Sequence, residues 1–359
     1  MENVLEIIAW YKNNFRDLPW RNTKDPYKIW LSEIILQQTQ VVQGLGYYER
    51  FVSQFPDIQS LASADQESVL KLWQGLGYYS RARNLHKTAQ IIVNQYDGKF
   101  PDQYQAVLKL PGIGPYTAAA IMSFAFDQAY PCLDGNVYRV LSRLYGIESP
   151  IDDNKSRPEF MAILEAWVQG QQPSLFNNAI MEFGAMLCKP DAPKCSECPV
   201  SFNCKALKMK AVQNFPIKAK TIKKRQRFFN YFLIQQNGQI AIRKRQEKDI
   251  WQHLYELPLV ESKQLMSVNG VHKEIHNILF NRVNKIEFLS EAKQVLTHQT
   301  IQAQFWTVEA EGQISFKPSD VIWVPITQIQ NYPVSVLIEK FLYVCNKQLF
   351  LIWSTRFFY

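Results

Sequence analysis

The chain has 359 residues, long enough for two domains with cores of their own, and it carries 40 Lys and Arg against 32 Asp and Glu, a net charge of +8 with a pI near 9.0. That balance favours a polyanionic partner, although a membrane-surface or ribosomal protein would share it. The sequence shows no signal peptide and no long apolar span, which argues against a disulfide framework and a membrane, and for a cytoplasmic, nucleic-acid-directed protein.

Through the first half, apolar residues recur at helical spacing: Val4, Leu5, Ile8 and Ala9; Val69, Leu70 and Trp73; Ala89, Ile92 and Val93; Ile163, Leu164 and Trp167. An all-α part is expected. Within 27–40, Glu33 falls between Ile29 and Trp30 on one side and Leu36 and Gln37 on the other, on a partly apolar helix face. Leaving water raises a carboxyl pKa and lets the group donate a proton near neutrality; a structural pair with Arg or Lys is the alternative. Gly44-Leu45-Gly46-Tyr47-Tyr48 recurs as Gly75-Leu76-Gly77-Tyr78-Tyr79, a pattern for turns that present rings to nucleobases or for tight helix connections.

Pro111-Gly112-Ile113-Gly114-Pro115 breaks the helical pattern. Two glycines beside prolines let a tight turn approach a ligand with bare N–H groups, and a helix restarting from Thr117 aims its N-terminus at that ligand. A phosphate fits there; an ordinary helix-helix turn is the bland reading. Leu133-Asp134-Gly135-Asn136-Val137 supplies a second carboxylate. Farther on, Cys188, Cys195, Cys198 and Cys204 form Cys-x6-Cys-x2-Cys-x5-Cys, and four crowded thiolates suit zinc or an iron–sulfur centre. Cys132 and Cys345 stand apart and read as buried packing residues.

After the cysteines come Lys208, Lys210, Lys218, Lys220, Lys223, Lys224, Arg225 and Arg227, a run that suits a solvated linker or a phosphate backbone. The local pattern then changes. Residues 228–235 and 239–243 flank Asn237-Gly238, a type I′ hairpin signature, and 302–308 alternates like a strand. Residues 271–280 and 334–343 read as helices. The expected layout is 1–210 helical, 211–226 a basic linker and 227–359 a smaller α/β domain.

The hairpin, Asp134 and the cysteine array together resemble the helix-hairpin-helix DNA glycosylases of the endonuclease III and MutY family. The resemblance runs from Leu18-Pro19-Trp20 through Cys204. It implies a mainly α fold in which an all-α helix-hairpin-helix domain with an iron–sulfur loop precedes a smaller α/β Nudix-like domain. Gly112 and Gly114 would grip a DNA phosphate, and the four cysteines would hold a [4Fe-4S] cluster. Tyr116 lies where endonuclease III-type members carry a Schiff-base lysine, and a phenol cannot form one, so a monofunctional enzyme is implied. Leu36-Gln37-Gln38-Thr39-Gln40 points to the MutY branch, which removes undamaged adenine opposite 8-oxoguanine or guanine in duplex DNA.

In that frame Glu33 protonates a ring nitrogen of the leaving adenine, while Asp134, kept ionised by hydrogen bonds, stabilises the sugar cation and helps activate water. Asn136 would orient water or a carboxylate, and Tyr116 would lie beside Asp134. Gln38 would enter the stack near the lesion, and Tyr78 would be a wedge, with a core tyrosine as its alternative. Arg16 and Asn178 match positions lining the adenine pocket, although other members place Gln or Glu at 178. The part around Trp251 to Pro258 resembles the MutT-like module that ends MutY proteins. Its acidic Nudix box is missing, so magnesium-dependent hydrolysis is not expected. Leu296-Thr297-His298 aligns with a Phe-Ser-His loop that contacts 8-oxoguanine; Thr297 keeps the hydroxyl and His298 the imidazole. A monomer is implied. An endonuclease III-like lyase for oxidised pyrimidines is the alternative that Tyr116 opposes, and a non-catalytic iron–sulfur DNA-binding protein is the one that Glu33 with Asp134 opposes.

Overall fold

The structure is a computed structural model that describes residues 2–219, 224–276, 278–279, 283–310, 314–316 and 320–344. Its first part is helical: α1 (Glu2–Asn14), α2 (Pro26–Leu36), α3 (Val41–Gln54), α4 (Ile58–Ser63), α5 (Gln66–Trp73), α6 (Ser80–Gln95), α7 (Tyr104–Leu108), α8 (Pro115–Phe126), α9 (Gly135–Tyr145), α10 (Arg157–Val168), α11 (Pro173–Met186) and the short α12 (Lys205–Lys208). Several of these helices start where the sequence satisfies or removes first-turn N–H groups. Asp25, Asp65 and Asp134 cap α2, α5 and α9 with their carboxylates. Pro115 and Pro173 open α8 and α11 with no N–H to lose. The expected restart at Thr117 therefore comes two residues earlier.

Contacts divide the described residues into two units, 2–63 with 84–219 and 64–83 with the described residues of 224–344. In the first unit, Val4 and Ile7 of α1, Val137 and Leu141 of α9, Phe160 and Leu164 of α10 and Phe176 and Phe183 of α11 share one buried core. Cys188, Cys198 and Cys204 pack against its edge. Cys132 is buried, as expected; Cys345 and the aromatic tail 349–359 lie outside the described residues.

The second unit combines α5 and its following turn with a mixed sheet. The strands are β1 (Arg225–Gln236), β2 (Gln239–Lys244), β3 (Tyr255–Glu256), β4 (Leu259–Ser262), β5 (Val283–Val295), β6 (Gln299–Ala310) and β7 (Val321–Pro325). Asn237 (φ 51°) and Gly238 (φ 74°) turn β1 into β2, the double positive φ that a type I′ hairpin needs. β1 pairs parallel to β6 over Arg225↔Gln299 to Ile234↔Val308 and antiparallel to β4. Helix α13 (Val268–Ile275) covers one face through Val271 and Ile275 on Phe232, Ile234 and Trp306. It starts three residues before the expected 271 because Ser267 caps it through Gly270 N; Phe280, its expected end, lies outside the described residues. Residues 336–344 are helical, and Tyr231, Phe305 and Phe341 stack on the other face.

Two expectations change. Arg227 is no part of a solvated basic run: it sits in β1 at 5% exposure, paired with Asp249 and Glu261, while Lys220 and Lys223 lie outside the described residues. The first Gly-Leu-Gly-Tyr-Tyr copy is no turn either but part of α3, whereas the second carries Gly75, Gly77 and Tyr78 at positive φ. Among the described residues no helix is long and apolar enough to cross a membrane.

Candidate active site

A cleft of about 1460 Å³ opens in the first unit, lined by Glu33, Tyr116, Asp134 and Asn136 together with Arg16, Gln38 and Asn178. α2 brings Glu33 to it with only 7% of the residue exposed. Burial is the largest influence on that carboxyl and pushes it up to about 7; the Asp134 charge adds to the rise, while the Tyr116 hydroxyl and Arg21 oppose it. The Tyr116 hydroxyl is hydrogen-bonded to Glu33 and lies 3.9 Å from Met181 Sδ. So the expected acid stands against the expected sugar-side residues.

Asp134 Oδ1 accepts from Val137 N at 2.8 Å, and Oδ2 from Asn136 Nδ2 at 2.7 Å. These bonds favour the ionised form, yet burial outweighs them and lifts this carboxyl above its ordinary value. Asn177 fixes the approach to Asp134. It is buried, accepts from Cys132 N and donates to Tyr130 O and Ser123 Oγ.

Sequence reading missed a third carboxylate. Glu182 of α11 is 1% exposed and lines the same cleft. Burial alone would raise it, but the Arg16 and Arg21 guanidinium groups, at 2.6 and 2.8 Å, hold it down at about 2. Arg16 is thus in the expected pocket with its fork committed to Glu182. Asn178 lines it too, with Nδ2 turned back to Ser174 O. An acidic residue among apolar ones at helical spacing, the signal that singled out Glu33, also marks Glu182.

Two further missed residues lie on α9. Arg139 donates to Asn136 Oδ1 at 2.9 Å, to Gly184 O at 2.8 Å and to Cys188 O at 2.7 Å, so a polar chain runs from Asp134 to the cysteine loop. Arg143 ties down that loop through the carbonyls of Lys189, Pro190, Val212 and Phe215. Cys188, Cys195, Cys198 and Cys204 line one cavity. Among the described residues, no three His, Cys, Asp or Glu stand where one metal ion could be held.

The hairpin between α7 and α8 behaves as its glycines require. Gly112 has φ 78°, and a Cβ there would meet Asn84 Cβ at 2.8 Å, so no other residue fits without displacement. Gly114 caps α8 with open space around it and no side-chain capping bond, which leaves first-turn N–H groups to a ligand. Gln38 follows α2 at φ 56° on the cleft rim.

In the second unit Tyr78 is no core residue: it is 42% exposed and left-handed at φ 48°, a conformation costing about 1–2 kcal/mol outside glycine. Its hydroxyl bonds the Thr297 hydroxyl. Thr297 and His298 are exposed on the turn between β5 and β6. The structure therefore brings together Tyr78 and Thr297, which the sequence placed 219 positions apart.

Residues 31–169 match the HhH-GPD superfamily of base excision DNA repair proteins, and residues 230–343 match the NUDIX domain. The adenine DNA glycosylase of Buchnera aphidicola from Acyrthosiphon pisum is 40% identical over 295 residues, covering 81% of this chain and 83% of the relative. That of Buchnera from Baizongia pistaciae is 36% identical over 344 residues, covering 93% and 95%. The adenine DNA glycosylase of Homo sapiens is 41% identical over 209 residues, 56% of this chain and 38% of the human protein. Among solved structures, a thermostable thymine-DNA glycosylase aligns with a TM-score of 0.54 at 31% identity, over 57% of this chain and 95% of its own. A trapped endonuclease III–DNA intermediate aligns at 0.52 and 22% identity over 58% and 95%, a likeness of fold.

Proposed function

The chain belongs to the adenine DNA glycosylases, helix-hairpin-helix enzymes of base excision repair, and from that premise we propose that it excises adenine opposite 8-oxoguanine or guanine with Glu33 as acid and Asp134 as the sugar-side carboxylate. The observation that carries this assignment is the meeting of Glu33, Tyr116 and Asp134 in one cleft with the Glu33 carboxyl lifted to about 7. Adenine leaves poorly as an anion. Glu33, which keeps its proton in a large share of molecules at neutral pH, can hand that proton to a ring nitrogen as the N-glycosidic bond lengthens. Positive charge then grows on the deoxyribose, where Asp134 opposes it and orients the attacking water with Asn136. The proton on Glu33 ends on adenine, and that of water is left to the carboxylate pair.

Tyr116 supports hydrolysis without strand cleavage, because a phenol held against Glu33 offers no amine to the sugar. Gly112 and Gly114 suit a DNA phosphate at the start of α8. Tyr78, Gln38, Thr297 and His298 are assigned to the lesion side. The pairing of Tyr78 with Thr297 supports that grouping for these two.

The cysteine loop offers four thiolates to a [4Fe-4S] cluster, the centre that the family resemblance implies. A cluster binds each thiolate to its own iron, so four cysteines around one cavity suffice. Bound there, the cluster would tie the loop to α9 and serve as a structural cross-link. The protein should then be brown and contain iron. The test of the reading is a set of duplexes holding A opposite 8-oxoguanine, A opposite G, or thymine glycol. Adenine release with strand breaks only after alkali is expected; borohydride-trapped protein or cutting at thymine glycol would overturn it.

A further inference from the structure

Tyr78 holds an exposed ring on a left-handed backbone directly after two glycines at positive φ, and something must keep that turn from relaxing. Behind it lies Arg81, buried at 8% exposure. Its guanidinium carbon is 5.0 Å from the centre of the Trp73 ring and 5.7 Å from that of Tyr78. Nη2 of the same group donates to Gly77 O at 3.2 Å and to Leu76 O at 3.4 Å. Gly77 O also accepts from Trp73 Nε1 at 3.0 Å, and the Arg81 N–H closes the turn on Tyr78 O at 2.8 Å.

We propose that Arg81 is the positioning residue of the wedge, holding the 76–78 turn by its carbonyls and the Tyr78 ring by its charge so that the ring stands ready to enter the base stack. The assignment rests on the reading of Tyr78 as the wedge. Burial pulls the guanidinium down to about 10, which leaves it charged at neutral pH. Lysine cannot replace it. A planar fork can face two rings while donating in its own plane, whereas an ammonium is a point charge with strong hydration.

The inference predicts that Arg81 matters through Tyr78 and not through the chemistry of Glu33. Full-length protein is compared with Arg81→Lys, Tyr78→Ala and the double variant in single-turnover excision of A opposite 8-oxoguanine, with 2-aminopurine next to the lesion reporting wedge entry. Arg81→Lys should keep its duplex affinity and its pH profile but lose about tenfold in rate, together with most of the fluorescence change. Combined with Tyr78→Ala it should cost nothing more, because the ring it positions is gone. A wild-type rate and signal in Arg81→Lys, or losses that multiply in the double variant, would overturn the role of Arg81 alone. A wild-type rate in Tyr78→Ala overturns the wedge reading and the role of Arg81 with it. If Arg81→Lys misfolds, Arg81→Gln, which keeps one carbonyl bond but no charge, is read in the same two ways.

Discussion

Glu33 and Glu182 line one cleft yet titrate in opposite directions, because the first is buried with one hydroxyl partner and the second is clamped by two guanidinium groups. The contrast has consequences for pH. An acid with a folded-state pKa of about 7 loses its proton as pH rises through 7, so single-turnover excision should fall along that limb. Tyr116→Phe removes a bond that lowers the Glu33 pKa, and the falling limb should therefore move to higher pH; a limb that stays put would mean that another group is titrating. Glu33→Gln should lose excision by about a hundredfold or more. It should also gain stability. The Glu33 carboxyl is raised in the folded state, so its favourable contribution is complete below its ordinary 4.5 and is lost as pH rises towards 7. At pH 8 the glutamine variant should resist urea better than the wild type, by up to ~3 kcal/mol, and the gap should close near pH 4. Equal stability at both pH values would mean that Glu33 ionises freely.

Helix α11 approaches the first turn of α9 so closely that a Cβ on Gly184 would meet Asn136 Cβ at 2.7 Å and its carbonyl oxygen at 3.0 Å. Gly184→Ala therefore sets two effects against each other. Alanine favours a helix interior by about 1 kcal/mol, while the clash must push the turn that carries Asp134 and Asn136. Stability should change little and excision should drop about tenfold; a fully active Gly184→Ala would show that the turn yields without moving the carboxylate. The cysteine loop packs on the same helices, and Cys198→Ser should lose iron and soluble protein together; unchanged iron content would remove Cys198 from the ligand set. Local rules made much of this legible. Asn237-Gly238 announced its hairpin, and the Gly112 turn announced its positive φ. What remained hidden depends on partners far along the chain. Arg139 and Arg143 look like ordinary helix residues until their carbonyl partners, 45 and more positions away, come to meet them. Likewise, the five shared residues of the two Gly-Leu-Gly-Tyr-Tyr copies do not show that one lies inside a helix and one in an exposed turn; only the flank of the second, through Arg83-Asn84-Leu85-His86, resembles the family segment. Trp251 and His253 take positive φ, a conformation that favours glycine, and no local signal in the sequence foretells it.

The groups assigned to chemistry all lie in the first unit, whereas Tyr78, Thr297 and His298 lie in the second. Adenine is a normal base, so its excision has to be licensed by the base opposite, and a pocket that sees adenine alone cannot supply that check. The second unit, without an acidic Nudix box, is free to do so by hydrogen bonding. Thr297→Ala removes one hydroxyl from a polar pair. If that pair reads the lesion, the rate on A opposite 8-oxoguanine should fall by about fivefold to tenfold, the worth of one hydrogen bond, while the rate on A opposite G stays unchanged. Thr297→Ser should restore the ratio because it returns the hydroxyl. A chain cut at 219 tests the division more severely. That cut keeps 212–219, whose backbone is bonded to Arg143, Ile151 and Asp152 of the first unit; ending at 210 would strip those partners from the loop. The shortened protein should still release adenine, because the whole cleft remains, but it should treat 8-oxoguanine and guanine nearly alike. The measurement is the ratio of single-turnover rates on the two duplexes for wild type, Thr297→Ala and the shortened chain. A ratio that survives in the shortened chain would move lesion reading to residues 1–219, with Gln38, which lines the cleft, and Tyr78 as the residues to change next.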